Sequence, residues 1–322
     1  MFVLPDLEQC LTLLLANVPA GKVTTPRALA AALGLPQAAM WVARFTLRHP
    51  HRARCPCHRV VRAGGLLGGY VTGDLEEKQR RLREDGVMCA AGRVDLAAHG
   101  FQPRCEHPPL AELVGQQEDL AQRLRFSGGP RRVATVGGVD VSYRGELAFA
   151  AYVECAWPSG EVLWSATVST PIAFPYLPSL LTFRELPAML AAVDAARTAG
   201  NLGDVLLVDG AGRLHPRSAG IAAHLGVVAD LPTIGVTKRL LHGMADALPT
   251  TKGETALVRI DGQAAGYALA PGGRSRRPLY VSPGHRTTLA LTERIVPALL
   301  HARRLPAPLY WADRLSRREA QR

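Results

Sequence analysis

Hydrophobic residues change their spacing along this chain, and the changes mark its elements. Between Leu7 and Val18 apolar side chains recur at helical intervals. Thr24-Thr25-Pro26 follows, a capping hydroxyl ahead of a proline in the first turn, and predicts a helix through Ala32 that stops at Leu33-Gly34. Leu35-Pro36 opens another, expected to run to about Arg48 and to break at Pro50. Two short helices around a glycine-containing turn suggest a helix-turn-helix. Around residues 93–108, Gly100, Pro103, Pro108 and Pro109 interrupt the periodicity, which reads as a linker.

The pattern then switches. After a helix over roughly Leu110 to Arg125, apolar runs at Val133–Val141, Ala148–Ala156 and Val162–Ser169 predict strands, the last two joined through Pro158-Ser159-Gly160. A helix is expected over Pro187–Thr198, a strand over Val205–Val208, a helix over Ala219–Leu225 and a strand over Thr233–Val236. Three strands followed by alternating helices and strands predict an α/β fold with a ribonuclease-H-like mixed sheet and flanking helices. The expected organisation is a small, mostly helical domain of winged helix-turn-helix type over 1–92, a linker over 93–108 and the α/β domain over 109–322.

Composition narrows the class. A chain of 322 residues exceeds the size at which one core usually keeps growing, and 48% hydrophobic content excludes disorder. No apolar run approaches the roughly 20 residues that span a bilayer, and Leu11–Ala16 is short for a signal, so a cytoplasmic protein with no membrane association is expected. The six cysteines form no CxxC pair, and Cys55 with Cys57 lacks a second paired ligand set for zinc. The formal net charge of +11 favours polyanions. Arg44 to Arg62 holds six arginines, three histidines and no acid, a cationic strip suited to phosphates, with Arg44, Arg48 and Arg59 as its candidate contacts. Nucleic acid is the partner this implies.

Carboxylates supply the candidate chemistry. Asp140 follows the run Val133–Val139, Asp209 follows Val205–Val208, and Glu185 stands in Phe183-Arg184-Glu185. An acid at the end of a buried strand is costly unless a cation meets it. Two aspartates and a glutamate suit Mg²⁺, which takes oxygen ligands and retains water. Such an ion activates water and steadies phosphate, so a metal-dependent nuclease is expected. Tyr176, between Pro175 and Pro178, is a stiffly held aromatic suited to fill the gap left by an extruded base.

Several segments resemble endonuclease V, in that family's order, over roughly 108–317. They are Gly138-Val-Asp140-Val-Ser-Tyr143, Phe174-Pro-Tyr176-Leu-Pro178 with Phe183-Arg-Glu185, Val208-Asp209-Gly210, His215-Pro216, His224-Leu-Gly226, Pro232–Val236 with Lys238, and Val281-Ser-Pro-Gly-His285. The resemblance implies Mg²⁺ (or Mn²⁺) ligation by Asp140 and Asp209, with Glu185 as ligand or water positioner. It further implies Lys238 and His285 at phosphate or water, and DNA contacts from Tyr176, Pro175, Pro178, Gly210, His215 and His224. The implied reaction is hydrolysis on the 3′ side of deoxyinosine, at the second phosphodiester. Ala211 and Ser179 stand where the family usually has histidine and glycine.

Residues 17–87 resemble the DNA-binding domain of O6-alkylguanine-DNA alkyltransferases. The match runs through Val18-Pro19-Ala-Gly-Lys22-Val23, Pro56-Cys57-His58-Arg59-Val60-Val61, Gly64-Gly65-Leu66 and Gly69-Tyr70. It implies an alkyl-accepting Cys57 activated through His58 and, by position, Asp85, where the family has glutamate. Pro26, Met40 and His49 replace the usual tyrosine, arginine and asparagine, which favours a module that senses or anchors alkylated DNA. The expected protein is a DNA-repair endonuclease with such a module, acting as a monomer. Its rivals are an alkyltransferase working through Cys57, a non-catalytic lesion binder, and a nuclease of RNA, which would be told from DNA by its 2′-hydroxyl.

Overall fold

The computed structural model describes residues 4–49, 55–271, 277–301 and 303–322. Pro50, the expected break, lies outside these residues, as do Arg52 and Arg54 of the cationic strip. The chain divides into two compact units, residues 1–115 with 175–180, and residues 116–174 with 181–322.

The first unit is built from α1 (Leu7–Ala16), α2 (Pro26–Ala32), α3 (Ala39–Thr46), α4 (Leu75–Glu84), a two-stranded ribbon of β1 (Cys89–Ala90) and β2 (Arg93–Val94), α5 (Leu96–His99) and the start of α6 (Pro109–Gln122). The Thr25 hydroxyl caps α2 by accepting from the Ala28 amide at 3.2 Å, as its sequence predicts. Gly34 turns the chain between α2 and α3 at φ +96°. Residues 93–108 are not a free linker. Val94 joins a core with Val23, Val61, Leu67, Leu82 and Val87, and the Val23 amide donates to His99 while Phe101 donates back to Val23. The prolines and Gly100 interrupt helix periodicity without releasing the backbone from the fold. Buried Lys78 donates to the carbonyls of Val60, Leu67 and Gly69, and burial lowers its pKa to about 8. It thereby braces the segment that follows Cys57.

The second unit is organised by one nine-stranded mixed sheet. Its strands are β3 (Thr135–Arg144), β4 (Leu147–Ala156), β5 (Val162–Pro171), β6 (Val205–Asp209), β7 (Thr233–Thr237), β8 (Met244–Ala245), β9 (Thr255–Ile260), β10 (Gln263–Leu269) and β11 (Leu279–Pro283). Their order is β5-β4-β3-β6-β7-β11-β10-β9-β8. The helices are α7 (Leu181–Thr198), α8 (Ile221–Ala229), α9 (Leu289–Ala298) and α10 (Ala307–Gln321). β3, β6 and β7 run parallel, and β4 and β5 return antiparallel, which is the ribonuclease-H-like arrangement predicted. Beyond β7 the sheet continues antiparallel through β11, β10, β9 and β8, past the strands that the apolar runs mark.

Two expectations about the acids change. Asp140 does not end its strand: β3 continues four residues to Arg144 and pairs Asp140 with Ala151 of β4. Glu185 lies inside a helix, because α7 begins at Leu181 and accommodates Pro187 in its second turn, six residues before the predicted start. The core beneath them is aliphatic, with Val136, Val205, Leu207, Ile234 and Val236 from the parallel strands packed with Val281, Ile295 and Leu309.

Candidate metal centre and DNA-binding residues

Register alone brings two acids together. Val139 of β3 pairs with Val208 of β6 in parallel, so the next residues, Asp140 and Asp209, stand side by side on adjacent strands. Asp209 pairs in turn with Val236 of β7, and Lys238 follows that strand at the same end. The Lys238 ammonium donates to Asp209 Oδ2 at 2.7 Å. Burial opposes the lysine charge, but Asp209 outweighs it and the Lys238 pKa ends up raised.

A third acid arrives from the far end of the chain. Residues directly opposite on antiparallel strands share a face, so Asp140 faces the same way as Ala151. That face packs against α10 through Ala307 and Ala312. Gly138, two residues before Asp140 and on the same face, lies against the α10 backbone. A Cβ there would meet the Pro308 carbonyl carbon at 2.5 Å. This close approach brings Asp313 in, so that one oxygen each of Asp140, Asp209 and Asp313 lies within 4.8 Å of the others. The Ser316 hydroxyl, also on α10, donates to Asp140 Oδ2 at 2.9 Å. Burial, then the Asp209 charge, push the Asp140 pKa well above the ordinary carboxylate range. Three converging oxygen acids whose repulsion is already strong are what a hard divalent cation would relieve, so Mg²⁺ or Mn²⁺ fits this donor set.

Glu185 approaches from the other face. Tyr143, three residues beyond Asp140, points opposite to it by strand alternation and donates to Glu185 Oε1 at 2.9 Å. Glu185 therefore stays outside the 4.8 Å trio. It still feels the site: burial and then Asp209 raise its pKa to about 7, against the Tyr143 hydrogen bond.

His285 goes elsewhere. Its carbonyl accepts from the Thr233 amide and its amide donates to the Thr233 hydroxyl, at the start of β7, whereas Asp209 and Lys238 stand at that strand's other end. That separates them by roughly 10–15 Å along the strand. His285 instead accepts from the Arg125 amide at Nδ1, lies 3.4 Å from Asp230 and lines a cavity of about 480 Å³ with Arg123, Arg125 and Val227. The Pro-Gly-His turn gave no clue to which strand end it follows.

The remaining DNA candidates sort by exposure. Tyr176 is 65% exposed between buried Phe174 and Leu177, as an outward wedge requires. Pro175 and Pro178 flank it, and Ser179, where glycine was expected, adopts φ +63°. His215 and His224 are both buried, and His224 packs edge-on against Phe183, so neither presents a ring to a DNA backbone. Gly210 and Gly235 allow the strand ends to close: a Cβ on Gly235 would meet the Gly210 carbonyl oxygen at 2.5 Å. Ala211, in the histidine position, is buried there.

In the first unit, Arg44 and Arg48 are exposed on and just after α3, and Met40 is 69% exposed on the same helix. Arg59 is not available to phosphate. Its guanidinium donates to both carboxylate oxygens of Asp85 and to the Val18 carbonyl. His58 Nε2 lies 2.8 Å from Asp85, and burial lowers the His58 pKa. Asp85 is lowered despite burial, by Arg59 and then His58. The Cys57 thiol pairs with Cys55, which together with burial pushes Cys57 up and leaves Cys55 as the more acidic sulfur.

Comparison with known proteins follows these two units. The endonuclease V family profile matches residues 118–314, and the profile of the 6-O-methylguanine DNA methyltransferase DNA-binding domain matches residues 6–87. An endonuclease V of Roseiflexus castenholzii is 41% identical over 225 residues, covering 67% of this chain and 97% of that protein. A bifunctional methyltransferase/endonuclease of Picrophilus torridus is 32% identical over 284 residues, covering 88% of this chain and 87% of its own. Among solved structures, Ciona intestinalis endonuclease V in complex with a 24mer DNA containing an inosine superposes with a TM-score of 0.59 at 28% identity. It covers 66% of this chain and 98% of that one.

Proposed function

The chain belongs to the endonuclease V family, and from that footing we propose that it nicks DNA containing deoxyinosine, using Mg²⁺ with Mn²⁺ as a substitute. The bond cut is the second phosphodiester on the 3′ side of the lesion. The observation that carries this reading is the convergence of Asp140, Asp209 and Asp313 beside Lys238.

Asp140, Asp209 and Asp313 are the residues that would hold the ion, which supplies charge neutralisation at phosphate and a more acidic water. Lys238 holds Asp209 in place and offers its remaining N–H groups to a phosphate oxygen. Glu185, its pKa raised to about 7, is suited to take up a proton from the attacking water at Oε2 while Tyr143 occupies Oε1. Tyr176 fills the stack vacated by the extruded base. Extrusion is easiest at a weakly paired base, so the lesion is selected before any hydrogen bond is made.

Residues 1–92 act as the DNA-anchoring module and 109–322 as the nuclease of a monomeric protein. The exposed Arg44 and Arg48 support the first role. A second reading has one observation in its favour. The His58–Asp85 pair adjoins Cys57, and His58 Nδ1 is buried without a hydrogen-bond partner, as a base awaiting a thiol proton would be. In that reading Cys57 accepts an alkyl group from DNA.

A nicking assay on inosine, uracil and abasic duplexes, with and without Mg²⁺, tests the first reading. Metal-dependent nicks two bonds from inosine support it, and equal cutting of undamaged duplex removes it. Inosine placed in RNA asks whether the 2′-hydroxyl is tolerated. Label transfer from O6-methylguanine DNA to wild type, but not to Cys57→Ser, would establish the second.

A further inference from the structure

We propose that His49, Cys55 and Cys57 bind a thiophilic divalent cation of the zinc class, at a site that uses none of the nuclease carboxylates. One imidazole nitrogen and both sulfurs lie within 4.8 Å of one another. His49 Nε2 stands 3.1 Å from Cys55 Sγ. The other ring nitrogen, Nδ1, is 3.1 Å from the Phe45 carbonyl. A carbonyl only accepts, so Nδ1 carries the proton and Nε2 presents its lone pair towards the sulfurs. A hydrogen bond from the distal nitrogen to a backbone carbonyl is the usual way a ligating imidazole is oriented. The Phe45 ring stacks on the imidazole at 5.3 Å and 21° and fixes its plane.

Dimensions and charge agree with this. Zinc bonds of about 2.3 Å to sulfur and 2.0–2.1 Å to nitrogen set tetrahedral donors roughly 3.4–3.8 Å apart. Donors within 4.8 Å of one another reach that spacing by movements of about 1 Å or less. Cys57 is buried, and His49 and Cys55 are half-buried, so the ligands are shielded yet approachable. On binding, both thiols release their protons to solvent, and the two thiolates neutralise the dication. The site therefore adds no positive charge next to exposed Arg48. Three protein donors leave the fourth tetrahedral position open, as in zinc sites that exchange a ligand. The adjacency of Cys55 and Cys57 is visible in the sequence. The third donor appears only when the end of α3 is brought back against them.

Cobalt(II) titration of the full chain tests this, because thiolate ligation gives a near-ultraviolet charge-transfer band that carboxylates do not. The expected result is a band saturating at one equivalent per chain and displaced by Zn²⁺. It is lost in Cys55→Ser, weakened about tenfold or more in affinity in His49→Ala, and retained in Cys10→Ser. No band, a band that survives Cys55→Ser, or a band lost in Cys10→Ser overturns the proposal. If circular dichroism shows Cys55→Ser to be unfolded, His49→Ala decides, and unchanged cobalt affinity there rejects the site. Nicking activity does not enter the readout, so failure here is distinct from failure of the nuclease reading.

Discussion

The Ser316 hydroxyl reaches across the sequence to donate 2.9 Å to Oδ2 of Asp140, and Ser142 lies 2.9 Å from the same hydroxyl. With its single proton given to Asp140, Ser316 accepts from Ser142, so a relay from β3 through α10 returns to β3. This bond lowers the Asp140 pKa, against burial and two neighbouring acids that raise it. Ser316→Ala removes it, and protons then compete better with the cation for Asp140. A hydrogen bond to a charged group contributes about 1.5 kcal/mol or more, so the Mg²⁺ concentration for half-maximal nicking should rise about tenfold. The rate at saturating Mg²⁺ should change little. An unaltered Mg²⁺ requirement would mean that Ser316 only packs.

The approach of α10 to β3 rests on the absence of a side chain at position 138. Gly138→Ala sets a methyl 2.5 Å from the Pro308 carbonyl carbon, and backbone, unlike a flexible side chain, moves only as a unit. Overpacking of this kind costs about 1–3 kcal/mol and displaces Asp313 and Ser316 together. A melting temperature lowered by several degrees and nicking reduced at least tenfold are expected. Gly115→Ala, in α6 with nothing near its added methyl, should instead gain about 0.5–1 kcal/mol. Calorimetry on the two variants separates the effects; equal melting temperatures would refute the packing argument.

The contrast between Asp140 and Asp313 shows what the sequence could reveal. Asp140 and Asp209 each end a run of apolar residues, so burial and strand position were readable locally, and the parallel register that joins them follows from the fold class. Asp313 lies among Arg314, Arg317 and Arg318, and its own pair with Arg317 makes it resemble a solvated helix face. Only the packing of α10 onto Gly138 distinguishes it, and that contact is non-local. The placement of Arg59 and His285 is set by non-local contacts in the same way. Both are residue types suited to phosphate, but Asp85 holds the first and strand direction carries the second away from Asp209 and Lys238. Pro187 reads locally as a helix start, which would set the boundary after Glu185. It sits instead within α7, past the first turn, where tertiary packing holds the helix.

His224 gives the fold a sensitivity to acid. It is fully buried, and burial, with Arg123 and His215, lowers its pKa from 6.5 to about 4. The unfolded chain takes up a proton between these values that the folded chain refuses. The contribution to stability is therefore complete above pH 6.5 and is lost as the pH falls towards 4. The loss amounts to about 3 kcal/mol. His224→Leu should unfold at similar temperatures at pH 7.5 and show a shallower decline by pH 5 than wild type. Parallel declines in the two proteins would show that another group titrates.

Tyr176 concentrates the question of lesion choice in one exposed ring. Phe174, Leu177 and Leu180 are buried around it in sequence, so the loop is anchored on both sides while the phenol stays in solvent. Its loss should leave the carboxylates and the metal requirement untouched, because Glu185, Asp209 and Asp140 are held by Tyr143, Lys238 and Ser316. Stacking on a base contributes about 1–3 kcal/mol, and that energy counts only when a base has left the helix. Tyr176→Ala should therefore cut inosine duplex about tenfold less efficiently with an unchanged Mg²⁺ midpoint. Tyr176→Phe should retain most of the preference for inosine over undamaged DNA. A Phe variant as poor as Ala would assign the residue's effect to its hydroxyl, and an Ala variant with full selectivity would remove the wedge from the mechanism.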